Sequence, residues 1–241
     1  EKLARFQAAG MDVMVFLEFS KTFSMLSPDA FAEQVLSKGL GLKELFVGQH
    51  FAFGHKRAGK IADLVALGGR YGFAVHPMDP VTACGGVVSS TRIRQLIQAG
   101  DVGQAALLLG RQYAMTGVVA PGTQRGQALG WRTANLPVPS DRVVPADGVY
   151  ATVAVGNQRR YDSVSYIGTR PTFDAGERLL EVHVLDDVLD LYGQQMTVEF
   201  IELVRPDMQF SGAEDLSRQI ALDVELARMM LRKQRDAMEE R

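Results

Sequence analysis

Up to Gly110 the chain alternates short apolar runs with stretches of helical spacing. EKLARFQAAG sets Leu3 and Phe6 on one helical face and ends at Gly10. A chain rarely opens inside a helix, so a segment upstream of Glu1 is expected. VMVFLEF, ELFVGQHF and FAVHPM read as strands, and SPDAFAEQVLSKG, KIADLVALGGRYG and SSTRIRQLIQAGD as helices. Ser27 and Pro28 form an N-cap and first-turn pair, Gly39 and Gly100 sit at helix ends, and Asp101 with Gln104 opens a short helix that Gly110 closes. The rhythm predicts a Rossmann-like α/β domain, with too few strands for a complete doubly wound sheet.

After Gly110 the pattern changes to strands and turns: QYAMTGVVA, GVYATVAV, YDSVSYIG, LLEVHVLD and MTVEFIELV, broken by Gly, Pro, Asn or Asp. This reads as a small all-β barrel. The end is helical, with Ser211 and Glu214 as a capping box and Leu216, Ile220 and Val224 four residues apart. The expected domains are residues 1–110 and 111–241, closely joined because no low-complexity linker separates them.

Composition narrows the function classes. Of 241 residues, 46% are hydrophobic and 22% charged, which suits compact folded domains. A net charge of -2 gives no electrostatic reason to expect a nucleic-acid partner. Cys84 is the only cysteine, so no intrachain disulfide can form, and no apolar run is long enough to span a bilayer. The expected compartment is the cytoplasm.

The segment PGTQRGQALGWRTANLPVP is the richest in chemistry. Gly122, Gly126 and Gly130 recur every four residues before Thr133-Ala134-Asn135. Glycines let backbone N–H groups approach a phosphate, yet the order is not that of a Walker loop, and a glycine-rich hairpin turn fits the spacing equally well. Thr133 and Asn135 point the same way in an extended stretch, and two neutral oxygens with phosphates and water suit Mg²⁺; a capped turn is the commoner use of Thr-x-Asn. In LLEVHVLD, strand alternation puts Leu180, Val182 and Val184 on one face and Glu181 and His183 on the other. A glutamate facing a phosphate pocket can act as a general base toward an alcohol; a solvated strand face is the plain alternative. VSSTRIR puts hydroxyls and free amides at a helix start, which suits an anion and is also an ordinary N-cap cluster.

Gly130-Trp131-Arg132-Thr133-Ala134-Asn135 resembles the Gly-Phe/Tyr-Pro-Thr-Ala-Asn signature of riboflavin kinases, with Arg132 at the proline. The resemblance continues through DGVY (147–150), IGTRPTF (167–173), LEVHVLD (180–186), LYG (191–193) and VRPDMQF (204–210). Upstream, Ser89-Ser90-Thr91-x-x-Arg94 resembles the second phosphate-binding motif of the FAD-synthetase domain of bacterial bifunctional enzymes. VGQHFAFGHKRAG resembles its Gly-x-Asp/Asn-Phe segment, with His50 at the acidic or amide position.

The resemblance implies a partial nucleotidyltransferase domain followed by a six-stranded riboflavin-kinase barrel. It implies ATP, riboflavin, FMN and FAD as substrates and products, and Mg²⁺ held by Thr133 and Asn135. Glu181 becomes the catalytic base. Gly122, Arg125, Gly126, Gly130, Ser89, Ser90, Thr91 and Arg94 become ATP contacts; Arg170, Phe173, Arg205 and Phe210 are candidate flavin contacts, and ordinary loop packing accounts for each equally well. Flavin-requiring apoproteins are possible recipients of the product. The adenylyltransferase motif His-x-Gly-His is not found at His50, His55, His76 or His183, so this chain is expected to form FMN but not FAD. The rivals are a monofunctional kinase with a decayed scaffold domain, a noncatalytic flavin or nucleotide binder, and an RNA-binding barrel that the acidic balance disfavours.

Overall fold

The computed structural model describes residues 2–120, 131–169, 178–186 and 192–239. Contacts divide the chain into two compact units, Glu1–Val81 and Thr82–Arg241.

In the first unit α1 (Lys2–Ala8) stops before Gly10, whose φ of 77° only glycine adopts readily. After α2 (Lys21–Ser24), the Ser27 hydroxyl accepts from Ala30 N–H, and α3 (Pro28–Ala30) runs into a π-helical stretch, Phe31–Gly39. β1 (Glu44–Gly48), α4 (Ile61–Tyr71) and β2 (Ala74–Met78) make one parallel βαβ unit. Its core is Ala32, Leu36, Phe53, Leu64 and Phe73. VMVFLEF, expected as a strand, forms none: Val13, Phe16 and Phe19 are 78%, 71% and 79% exposed. Apolar alternation makes a strand only where a neighbour takes its hydrogen bonds, and the described sheet stops at two strands.

The second unit opens with a short hairpin, β3 (Thr82–Ala83) and β4 (Gly86–Val87), then α5 (Ser90–Gln98) and α6 (Val102–Leu109). α6 is capped by Asp101 accepting from Gln104 N–H and closed by left-handed Gly110. It packs on the six-stranded sheet, where Val102 joins the core. The strands are β5 (Tyr113–Val118), β6 (Ala134–Pro137), β7 (Gly148–Gly156), β8 (Arg159–Thr169), β9 (Arg178–Val184) and β10 (Gln195–Pro206). They pair antiparallel in the order β5-β10-β7-β8-β9-β6. The Ala120–Asn135 bridge brings the two ends together, completing the expected barrel.

Inside lie Met115, Leu136, Tyr150, Ile167, Leu180, Val182, Met196, Val198 and Phe200, along with a fully buried hydroxyl group. Thr152 Oγ1 lies 2.8 Å from both Ser163 Oγ and Ser165 Oγ, and the Ser163 hydroxyl donates to the Thr152 carbonyl at 3.0 Å. Outside, α7 (Ala213–Glu239) covers a second core of Val149, Ala151, Val164, Ile201, Val224, Ala227 and Leu231. Bulges in β10 turn Ile201 and Val204 toward this helix. The expected capping box is corrected. α7 starts at Ala213, so Ser211 lies outside the cap position and its hydroxyl donates to Asp215 instead of engaging Glu214.

Candidate active site

β9 carries Leu180 and Val182 into the core at 1% exposure each, so Glu181 and His183 face outward, toward the side that α7 covers. Pairing then fixes what lies beside Glu181. Asn135 on β6 is opposite it on one side, and Tyr166 on β8 is opposite it on the other. Directly opposed residues share a face with Cβ atoms about 5 Å apart, so the three side chains form one row across three strands. Asn135 is buried, and Thr133 precedes β6 by one residue. The row has oxygen donors at one end and a carboxylate beside them. Among the described residues no group of three or more His, Cys, Asp or Glu can hold a metal.

Tyr166 joins this row to a set of carboxylates. Its hydroxyl is hydrogen-bonded to Asp207, just past β10, and burial, Asp207, Asp147 and Glu181 together push its pKa up to about 12. It therefore stays a neutral donor at physiological pH. Asp147 pairs with Arg178, which also donates to the Pro145 carbonyl at 3.0 Å. Asp207 N–H donates to the Asp147 carbonyl at 3.2 Å, joining the start of β7 to the end of β10. The Tyr166 hydroxyl lies over Gly168, where any Cβ would collide with it. Sequence reasoning missed Tyr166, Asp147, Arg178 and Asp207 as site residues. DGVY and VRPDMQF had marked two of their segments, and strand alternation puts Tyr166 outward.

The segment leading into β6 is tied down from two directions. Trp131 packs edge-on against His183, with centroids 5.2 Å apart, and its indole N–H donates to Ser217 on α7 at 3.3 Å. His183 Nδ1 lies 2.8 Å from the Arg132 carbonyl oxygen. Arg132 itself is exposed.

The remaining candidates are dispersed. Arg205 Nε donates to Asp223 on α7 at 2.9 and 3.1 Å and Nη2 donates to it at 2.9 Å, with the side chains 14% and 2% exposed. The same guanidinium lies 5.5 Å from the Phe210 ring centroid. Gly122, Arg125, Gly126, Gly130, Arg170 and Phe173 lie outside the described residues.

Ser89 caps α5 by accepting from Arg92 N–H, Arg94 donates to Thr91 Oγ1 at 3.4 Å, and Ser90 opens the helix. In the first unit, Gly48, His50, Phe51, Met78 and Asp79 line a shallow pocket at the C-terminal ends of β1 and β2, where parallel sheets commonly bind ligands. Gly54 and Gly59 serve packing: a Cβ at either would strike Pro28, and one at Gly59 the Phe53 ring as well.

Comparison with known proteins places this architecture. The riboflavin kinase family model matches residues 109–231, which hold the barrel and most of α7, and the FAD synthetase family model matches residues 1–92. The chain belongs to the bifunctional riboflavin kinase/FMN adenylyltransferase family. Relatives of that name from Haemophilus influenzae and Escherichia coli K12 are 36% and 35% identical over 95% of this chain and 74% and 73% of theirs. A crystal structure described as that of a macrolide-efflux protein from Streptococcus pneumoniae superposes with a TM-score of 0.85 at 31% identity, covering 94% of this chain and 73% of that one. Among the described residues no helix is long and apolar enough to cross a membrane.

Proposed function

We propose that the barrel transfers the γ-phosphoryl group of ATP to the terminal ribityl hydroxyl of riboflavin, giving FMN and ADP. The observation that carries this reading is the row in which Glu181 stands directly opposite Asn135. Glu181 takes the proton of the hydroxyl, its oxygen attacks the γ-phosphorus, and the bond to the β-phosphate oxygen breaks as ADP leaves. Thr133 and Asn135 would hold Mg²⁺, which would neutralise charge on the phosphates when bound. The glycine loop with Gly122, Arg125, Gly126 and Gly130 is assigned to the ATP phosphates on its resemblance to the family signature. Phe210 is assigned to the flavin, with Arg205, committed to Asp223, acting by placing that ring. Arg170 and Phe173 complete the flavin assignment from sequence.

FMN adenylylation is assigned to residues 1–110 acting within the full-length protein, with the functional boundary near Arg111. Ser89, Ser90, Thr91 and Arg94 are its ATP contacts, supported by the capped start of α5. The cytoplasm is the assigned compartment, and flavin-requiring apoproteins are the assigned recipients of the products.

Replacing Glu181 with Gln tests the kinase reading. FMN formation from riboflavin and Mg-ATP should fall about 10²- to 10⁴-fold while ATP still binds. Turnover near that of the unaltered chain would overturn the base assignment, and no turnover in the unaltered chain would favour a noncatalytic flavin or nucleotide binder.

A further inference from the structure

We propose that His183 is a positioning residue for phosphoryl transfer, holding the backbone that presents Thr133 and Asn135 to the phosphates; this rests on the kinase reading above. A carbonyl oxygen can only accept, so at 2.8 Å from the Arg132 carbonyl His183 Nδ1 carries the proton and donates it. The bond ties β9 to the segment that leads into β6. His183 lies on the same face of β9 as Glu181, two residues on, and Arg132 directly precedes Thr133. One side chain therefore sets the distance between the strand that carries the base and the segment that carries the oxygen ligands. Trp131 adds a second restraint, with its ring on His183 and its N–H on Ser217.

The need for such a tie is physical. Thr133 precedes β6, whose pairing with β9 begins at Ala134, so among the described residues no ladder pairing with β9 fixes it. Arg132 is exposed and imposes no φ restriction of its own. The His183 bond supplies the restraint from outside the segment.

Three substitutions separate this role from others. Asparagine places an amide N–H where Nδ1 stands, glutamine places one nearer Nε2, and alanine removes both. His183→Ala should raise the KM for Mg-ATP about tenfold, with a smaller change in kcat, as the loss of one positioning hydrogen bond does. Amide hydrogen exchange over residues 133–135 should accelerate. His183→Asn should restore both readouts with an unchanged pH profile, and His183→Gln should not. In the alanine background Arg132→Pro, which fixes φ directly, should recover part of the KM.

Unchanged exchange at 133–135 in His183→Ala overturns the proposal. So does loss of kcat with a displaced pH profile that asparagine fails to restore, which would make His183 a proton-transfer group. Absence of FMN formation by the unaltered chain would overturn the kinase reading, while the exchange experiment would still decide whether His183 holds this segment.

Discussion

The two units use similar residues to different ends. In the first, β1 and β2 only partly bury Val47 and Val75 on one face, while Phe46 on the other is 61% exposed and Val13, Phe16 and Phe19 lie open. In the second, each of β7, β8, β9 and β10 has a neighbour on both edges, one face fills the barrel and the other lies partly under α7. Apolar content does not separate them, since VMVFLEF is as strand-like as MTVEFIELV. Partners do. A strand is stable when its backbone groups and at least one face are satisfied, and the barrel meets both conditions within one sheet.

Charge pairs offer the sharpest way to break this contrast. Asp223→Ala removes the partner of Arg205, a side chain only 14% exposed, and should cost about 3–5 kcal/mol in denaturant unfolding followed by barrel-specific signals. Glu33→Ala in the first unit removes the partner of Lys38, a side chain 69% exposed, and should cost less than about 1 kcal/mol. Equal losses would mean that the α7 clamp contributes no more than a surface pair.

Alkaline titration makes a second, smaller distinction. Tyr150 and Tyr166 in the barrel both have pKa values raised to about 12, Tyr150 by burial and then Asp147, against the opposing effect of Arg178. Below about pH 10 both are neutral whether the chain is folded or not, and their contribution is fully present. Between pH 10 and 12 the unfolded chain ionises them while the folded barrel keeps them protonated, so stability should fall across that window. Tyr166→Phe should flatten the fall; an unchanged slope would remove Tyr166 as its source. Least of all, Phe16→Ser should shift unfolding by no more than about 0.5 kcal/mol, since a side chain 71% exposed has little burial to lose. A larger loss would show that Phe16 is covered in solution.

What could be read from the sequence divides along the same line. Alternation in LLEVHVLD was enough to put Leu180 and Val182 inward and Glu181 outward, because a period of two leaves only two choices. Ser27, Asp101 and Gly110 announced their helix ends through side-chain chemistry that acts within a few residues. The carboxylates around Tyr166 were not legible. Asp147, Tyr166 and Asp207 come from three separate strand ends, and only the registers of β7, β8 and β10 bring them together. VMVFLEF misled for the complementary reason: its pattern reports what a strand would look like and says nothing of whether a neighbour pairs with it.

The hydroxyl group inside the barrel bears on the chemistry outside it. Thr152, Ser163 and Ser165 satisfy one another only when β7 and β8 stand in the observed register, with Thr152 opposite Ser163. A slip of one residue would turn these groups to the opposite face and break the set apart. β9 reads its register from β8, and β6 from β9, so the alignment of Tyr166, Glu181 and Asn135 descends from a vernier cut into the dry interior. Three small polar side chains, fully buried in the barrel, thus keep the outer surface in calibration, and a variant that altered them would misplace the base without changing a single residue of the site.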